Sequence, residues 1–332
     1  MNPVDCLCLE EISPSLDRLE AQLRKSAGAD DPFLSEVARH LITAGGKRLR
    51  PILCIAAALA CGGTPTDEVI LGGVAVELVH LASLYHDDVM DEATDRRGVP
   101  SVNSRWGNNI AVVSGDFLLA RAAAIAAHLG TEVARLLADT LAKLCEGQII
   151  ECQSIFDLSR TEELYFSAVL GKTSSLMATS CRIGAIVSGA SPSEIEKVTL
   201  FGEHFGTAFQ ILDDILDVVG DQKEIGKLVG QDLAEGIYTL PTIRALETPM
   251  VSDQLKIILG KPLSNQERVS AQQLVASSDA ITYASRIANE YISKAIDQLT
   301  GIREREVVEG LIRMSNQMIA QTTKNMQSAG AA

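Results

Sequence analysis

The chain has 332 residues, 46% of them hydrophobic but only 4% aromatic, and a formal net charge of −14. That length provides for a large core, which Ala, Leu, Ile and Val must build, and a composition of this kind favours helix. The acidity argues against a nucleic-acid partner, which needs a basic footprint, and against electrostatic docking on anionic lipid.

The amino terminus, MNPVDCLCLEEI, has no basic region before its apolar residues, so no secretory signal is expected. Ser13-Pro14 reads as an N-cap with proline at the first helical position, which predicts a helix over 14–27, then another over 32–43. Pro51 in KRLRPIL is tolerable only in a first turn, so the next helix spans 48–61. The apolar run from Pro51 to Cys61 is shorter than the ~20 residues a membrane span needs, and no transmembrane segment is expected. Further helices are predicted over 66–92, 105–128, 132–157, 161–189 (broken or bent around Gly171), 192–219, 234–247, 265–276, 279–298 and 301–323. Ser191 with Glu194, and Ser264 with Glu267, form capping boxes at two of their starts. No strand alternation, linker or repeat of fixed length appears. The seven cysteines contain no C-x-x-C pair and read as reduced, structural side chains of a cytoplasmic protein.

Two acidic clusters stand out. In LYHDDVMDEATDRRG, Asp87, Asp88 and Asp91 have i, i+1, i+4 spacing near the end of an apolar helix. FQILDDILDVVGD repeats it with Asp213, Asp214 and Asp217. Like charges one turn apart repel, and a helix C-terminus offers carboxylates nothing. Either cluster alone reads equally well as a solvated acidic end. Two identical unfavourable placements imply instead six carboxylates facing each other across a cavity. Oxygen donors without His or Cys point to Mg²⁺, with Mn²⁺ as an alternative, and such ions complete their shell with substrate phosphates. Cations near glycine or proline turns (Lys47, Arg50, Arg96, Arg97, Lys172, Lys227) are candidates to grip the same phosphates.

These motifs resemble the trans-prenyl diphosphate synthases. The likeness runs in order through GGKRLRP (45–51), ELVHLASLYHDDVMDEATDRRG (77–98), SGDFLLARA (114–122), GKTSSL (171–176), FGTAFQILDDILDVVGD (205–221) and GKLVGQDLAEGIYTLP (226–241). Residues 1–30 and those beyond about 250 carry no motif. The resemblance implies an all-α, single-domain isoprenoid synthase fold over 1–332, with about ten or more helices around a deep apolar cavity. Asp87, Asp88, Asp91, Asp213, Asp214 and, less directly, Asp217 would hold three Mg²⁺ on an allylic diphosphate. Arg96, Lys172 and Lys227 would contact that diphosphate. Lys47, Arg50, His80 and Arg97 would bind isopentenyl diphosphate, and Thr173 and Gln210 would line the reaction centre. Ionisation, condensation and proton loss follow, with the departed pyrophosphate able to take the proton. His86 is expected to point away from the metals. One departure is Ile237, where the family often has lysine in E-G-K-x-T-L-P.

Ala82 and Ser83 precede Asp87 by five and four residues and are expected at the cavity floor. Both are small, so the expected product is long, C30–C50, of the kind used for quinone side chains. Rival readings are a geranylgeranyl or farnesyl diphosphate synthase, a terpene cyclase and a non-catalytic partner subunit. The resemblance further implies a homodimer, and some long-chain members need a small accessory subunit.

Overall fold

The computed structural model describes residues 3–220 and 229–328. Helix dominates, as the alanine- and leucine-rich composition requires. In order, α1 is Pro3–Leu7, α2 Ile12–Ser26, α3 Pro32–Ala38, α4 His40–Thr43, α5 Leu49–Ala60 and α6 Asp67–Met90. They are followed by α7 Val102–Trp106, α8 Asn108–Leu129, α9 Thr131–Gln153, α10 Glu162–Val169, α11 Ser175–Val187 and α12 Pro192–Val219. The remainder are α13 Gln231–Glu235, α14 Leu240–Glu247, α15 Pro249–Ile258, α16 Asn265–Ala276, α17 Ala280–Gln298 and α18 Arg305–Ser328.

Local chemistry accounts for most boundaries. Thr66 caps α6, and both expected capping boxes open α12 and α16. Pro51 falls in the first turn of α5. Ser13 is not a cap: α2 begins one residue earlier at Ile12, whose fully buried side chain sets the start. Helix α15 was missed because its Thr248-Pro249 start was read as the end of the helix before it.

Helix α6 is the centre of the bundle. It packs against α2, α5, α8 and α11, while α12 lies on α11 and α17. Between α10 and α11 the chain takes a π-helical turn, Leu170–Ser174, at the bend expected around Gly171. The extra residue in such a turn re-aims the side chains that it carries, a common device at functional sites. Glycines make the closest approaches. A Cβ on Gly184 of α11 would lie 2.0 Å from the Cys54 carbonyl oxygen of α5.

A short hairpin, absent from the sequence reading, follows α6. Strands β1 (Asp95–Arg96) and β2 (Val99–Pro100) pair antiparallel, and the turn residues Arg97 and Gly98 both have positive φ, 55° and 74°. That is the backbone a two-residue hairpin turn demands.

By length and composition, α6 and α8 are long and apolar enough to cross a membrane. The expectation of no such segment had counted only uncharged runs, whereas the helix average tolerates a charge or two. For α6, 72% of the apolar window is buried among its neighbours; for α8, only 33% is, leaving an apolar face outward.

Replacing Gly184 by alanine is expected to destabilise the fold by about 1–3 kcal/mol or more, since a backbone oxygen cannot move aside as a side chain could. Chemical denaturation measures it, and an unchanged midpoint would contradict this packing.

Candidate active site

The C-terminal ends of α6 and α12 meet over one cavity of about 1040 Å³. Asp91 lines it from α6; Asp213, Asp214 and Asp217 line it from α12. Lys47, Arg96, Lys172, Thr173 and Gln210 share the same wall.

Not all six carboxylates do the same thing. Asp88 is fully buried and turned to the hairpin, where Arg96 donates to its Oδ1 from Nε at 2.7 Å and Nη2 at 2.5 Å. The hairpin turn explains this, because it folds Arg96 back over the end of α6. Asp217 accepts the backbone N–H groups of Gln231 and Asp232, both at 3.2 Å, and so anchors the start of α13. Asp87 lies in the electrostatic reach of Lys172 and Arg96. Asp214, 3% exposed, accepts bonds from the Tyr165 hydroxyl at 2.6 Å and from Gln210 Nε2 at 2.8 Å. The Gln210 carbonyl in turn accepts from the Thr173 hydroxyl at 2.8 Å. Thr173, Gln210, Asp214 and Tyr165 thus form one chain of hydrogen bonds.

Lys172 rides on the π turn and donates to Glu151 Oε1 of α9 at 2.5 Å. Two glycines permit this. A Cβ on Gly147 would lie 2.7 Å from the Lys172 backbone nitrogen, and one on Gly171 would lie 2.6 Å from the Lys143 carbonyl oxygen. With α9 pressed flat on the π turn, Glu151, one turn after Gly147, reaches Lys172. His86 turns away, as expected: its ring packs on Gly115 of α8, with Nε2 at 3.2 Å from the Val112 carbonyl oxygen and 3.5 Å from Asp116.

A second group of cations gathers beside the hairpin. Arg48 has φ of 48° and starts α5; it donates to Glu20, to the buried Glu77 at 3.0 Å and to the Ile42 carbonyl at 3.1 Å. This brace fixes the loop that carries Lys47 and the first turn of α5 that carries Arg50. Burial pushes the Glu77 carboxyl up, while Arg48, Arg50 and Arg97 pull it down. It accepts from Arg48 at 3.0 Å and is the buried acid around which these arginines gather. Arg50 is lowered to about 10 by burial, and its Nε has no partner among the described residues. Arg97 donates to the Leu41 and Gly45 carbonyls. His80 is held well below the ordinary range, first by burial and then by Arg50, Arg97, Arg48 and Arg96, so it is neutral at pH 7. Lys227 lies outside the described residues. Ala82 is fully buried; Ser83 is half-buried, with its hydroxyl on the His80 carbonyl, and neither lines the 1040 Å³ cavity.

Sequence reasoning missed Glu151, Tyr165, Arg48, Glu77 and the two carboxamides Gln321 and Asn325, which α18 adds to the cavity wall. Glu151 carried a usable signal, since it lies one turn after a glycine on the same helix face.

Among the described residues, no cluster of three His, Cys, Asp or Glu side chains is close enough to hold a metal ion unaided. The donors fit a hard divalent ion in another way. They are all oxygens, too far apart to surround an ion, and so suited to one that takes its remaining ligands from water and phosphate. Their charges are also short of cations. Burial pushes Asp214 up to about 7, with Asp213 and Glu151 adding repulsion against its two hydrogen bonds. Burial likewise raises Asp87, and Asp232 well above its usual value. Asp91 is raised to about 6 by desolvation, but its side chain stays exposed at the rim, so the pH response is attached to Asp214.

The sign follows from linkage. Asp214 holds its proton up to about 7, whereas an unfolded aspartate loses it near 3.9. Its ionisation therefore costs the free protein stability as pH rises through that window. A divalent cation competes with the same proton. The gain in melting temperature from millimolar Mg²⁺ with pyrophosphate is expected to be larger at about pH 8 than at about pH 6. Equal gains at both would contradict this account.

A family model described as Polyprenyl synthetase matches residues 31–276. The chain is 37% identical over 297 residues to the nonaprenyl diphosphate synthase of Mycobacterium tuberculosis, covering 89% of each chain. It is 34% identical to the heptaprenyl diphosphate synthase component 2 of Bacillus subtilis, over 87% of this chain and 82% of that one. Its fold matches the polyprenyl synthase of Caulobacter crescentus, solved with calcium and isoprenyl diphosphate, with a TM-score of 0.89, 29% identity and coverage of 96% and 97%. Proteins named for shorter products are also similar to it. The all-α architecture is accordingly the isoprenoid synthase fold, and the chain belongs to the polyprenyl synthetase family.

Proposed function

We propose that this chain condenses isopentenyl diphosphate with an allylic diphosphate to build a long all-trans polyprenyl diphosphate of C30–C50, with its 332 residues acting as one helical unit. The observation that carries the proposal is the convergence of two aspartate-bearing helix ends, Lys172, Thr173 and Gln210 on one cavity. The similarity to nonaprenyl and heptaprenyl synthases supports the long product.

Asp87, Asp91, Asp213 and Asp214 are the residues that would hold Mg²⁺ on the allylic diphosphate, with Asp217 acting from behind as it anchors α13. When bound, Mg²⁺ neutralises the leaving pyrophosphate and promotes breakage of the allylic C–O bond. Lys172, Arg96 and Lys227 add positive charge to the same group. Asp88 works through Arg96, which it orients. Gln210 and Thr173 present dipoles to the carbocation without a nucleophile strong enough to trap it. On the other side Lys47, Arg50, neutral His80 and Arg97 hold isopentenyl diphosphate, whose double bond attacks. The proton lost from the new bond passes to the departed pyrophosphate. No protein base is required.

The outward apolar face of α8 supports a homodimer. Val112, Val113, Ala120 and Ala124 are exposed along it, and Ile149 continues the patch on the adjacent α9. Exposed apolar surface of this extent marks an interaction site, and a second copy of this chain is the partner proposed. The likeness to a synthase component 2 supports testing a separate small subunit as well. A cytoplasmic location completes the proposal.

Asp87→Ala or Asp213→Ala is expected to lower turnover by orders of magnitude with helicity retained; near-normal rates would remove the metal roles. Incubating the purified chain with Mg²⁺, labelled isopentenyl diphosphate and an allylic primer should give products of C30 or longer. Elongation that halts at C20 or below in the unaltered protein would overturn the long-chain reading.

A further inference from the structure

Arg160 sits in the turn between α9 and α10, outside every motif that pointed to the site. Its side chain is 5% exposed and lines the 1040 Å³ cavity beside Glu151, Lys172, Asp214 and Ile237. Nη1 donates to the Tyr238 carbonyl at 3.0 Å, whereas the enclosed Nε has no partner among the described residues. A guanidinium carries five donor hydrogens, and leaving such donors buried and unused is costly. No carboxylate pairs directly with Arg160 among the described residues; Glu151, Asp214 and Asp232 act on it only through their fields. The other cations of this wall differ. Arg96 is tied to Asp88, Lys172 to Glu151, and Lys47 is exposed at the rim.

Position 237 adds an independent observation. Ile237 lines the same cavity and immediately precedes Tyr238, whose carbonyl holds Arg160. An apolar side chain therefore stands at the wall where E-G-K-x-T-L-P would place an ammonium. The positive charge of that patch comes instead from Arg160 in the α9–α10 turn.

We propose that Arg160 is a diphosphate-binding residue of this chain, its guanidinium supplying the charge that Ile237 leaves out. The proposal rests on the diphosphate reading of the cavity. When a pyrophosphate group enters, the guanidinium gains a counter-charge, and those of its N–H groups that face the cavity gain an acceptor. The bond to Tyr238 holds the group in place, so little side-chain freedom is lost on binding.

The test is calorimetric titration of inorganic pyrophosphate with Mg²⁺ into the full chain, together with steady-state kinetics. For Arg160→Gln, pyrophosphate affinity is expected to fall about tenfold or more, the scale of a lost charge-assisted hydrogen bond. KM for the allylic diphosphate should rise in parallel, and KM for isopentenyl diphosphate should stay within about twofold. Adding Ile237→Lys to that variant should recover much of the affinity. Should Arg160→Gln fail to fold, Arg160→Lys carries the test, with intermediate affinity expected. Unaltered affinity in every folded Arg160 variant, or no recovery with Ile237→Lys, would overturn the role of Arg160. Absence of Mg²⁺-dependent pyrophosphate binding by the unaltered chain would instead overturn the reading of the cavity itself, and the two failures are separable.

Discussion

The cavity mouth holds more negative charge than its protein surroundings can balance. Among the described residues, nine carboxyl groups line it against four lysine and arginine side chains. Several of those carboxylates are desolvated, so their mutual repulsion acts at a dielectric where it matters. The fold tolerates this only because its helices are held elsewhere: α6 by α2, α5, α7, α8 and α11, α12 by α11 and α17 among others. A site built in this way is suited to taking up cations and phosphates together rather than either alone, as the proposed function requires. Each lowers the cost of the other, and the chemistry that follows, departure of a pyrophosphate, needs both.

Rigid backbone devices divide the labour among these charges. The hairpin turn at Arg97 and Gly98 folds Arg96 onto Asp88 and brings Arg97 to the loop before α5. The Gly147–Gly171 contact brings Glu151 under Lys172. The π turn sets Lys172 and Thr173 beside each other on the cavity wall. Buried Glu77 offsets part of the charge of Arg48, Arg50 and Arg97, leaving that cluster net positive, whereas the aspartate wall is net negative. This asymmetry matches a reaction in which one diphosphate leaves and the other stays attached.

The sequence carried a large share of this. Periodicity and capping residues gave nearly every long helix, and the two aspartate trios were visible because their i, i+1, i+4 spacing is a local property. What escaped depended on distant partners. Tyr165 and Asp214 are far apart along the chain, and nothing around Tyr165 distinguishes it from a core aromatic. Arg160 looks like any arginine before a helix start. The residues of α18 that reach the cavity lie beyond the last motif. Spacing also could not show that Asp88 and Asp217, equivalent to their neighbours on paper, are engaged by Arg96 and by the α13 backbone. The hairpin was too short to show alternation, and its positive-φ arginine hid a turn usually signalled by asparagine and glycine.

The most direct measurement is the affinity of pyrophosphate for the purified chain with and without Mg²⁺ at neutral pH. Tight binding that vanishes when the metal is chelated is the expected result, since the acidic wall repels a bare polyanion. Equal binding in both conditions would mean that the aspartates do not work through a cation, and the charge imbalance at the cavity mouth would need another explanation.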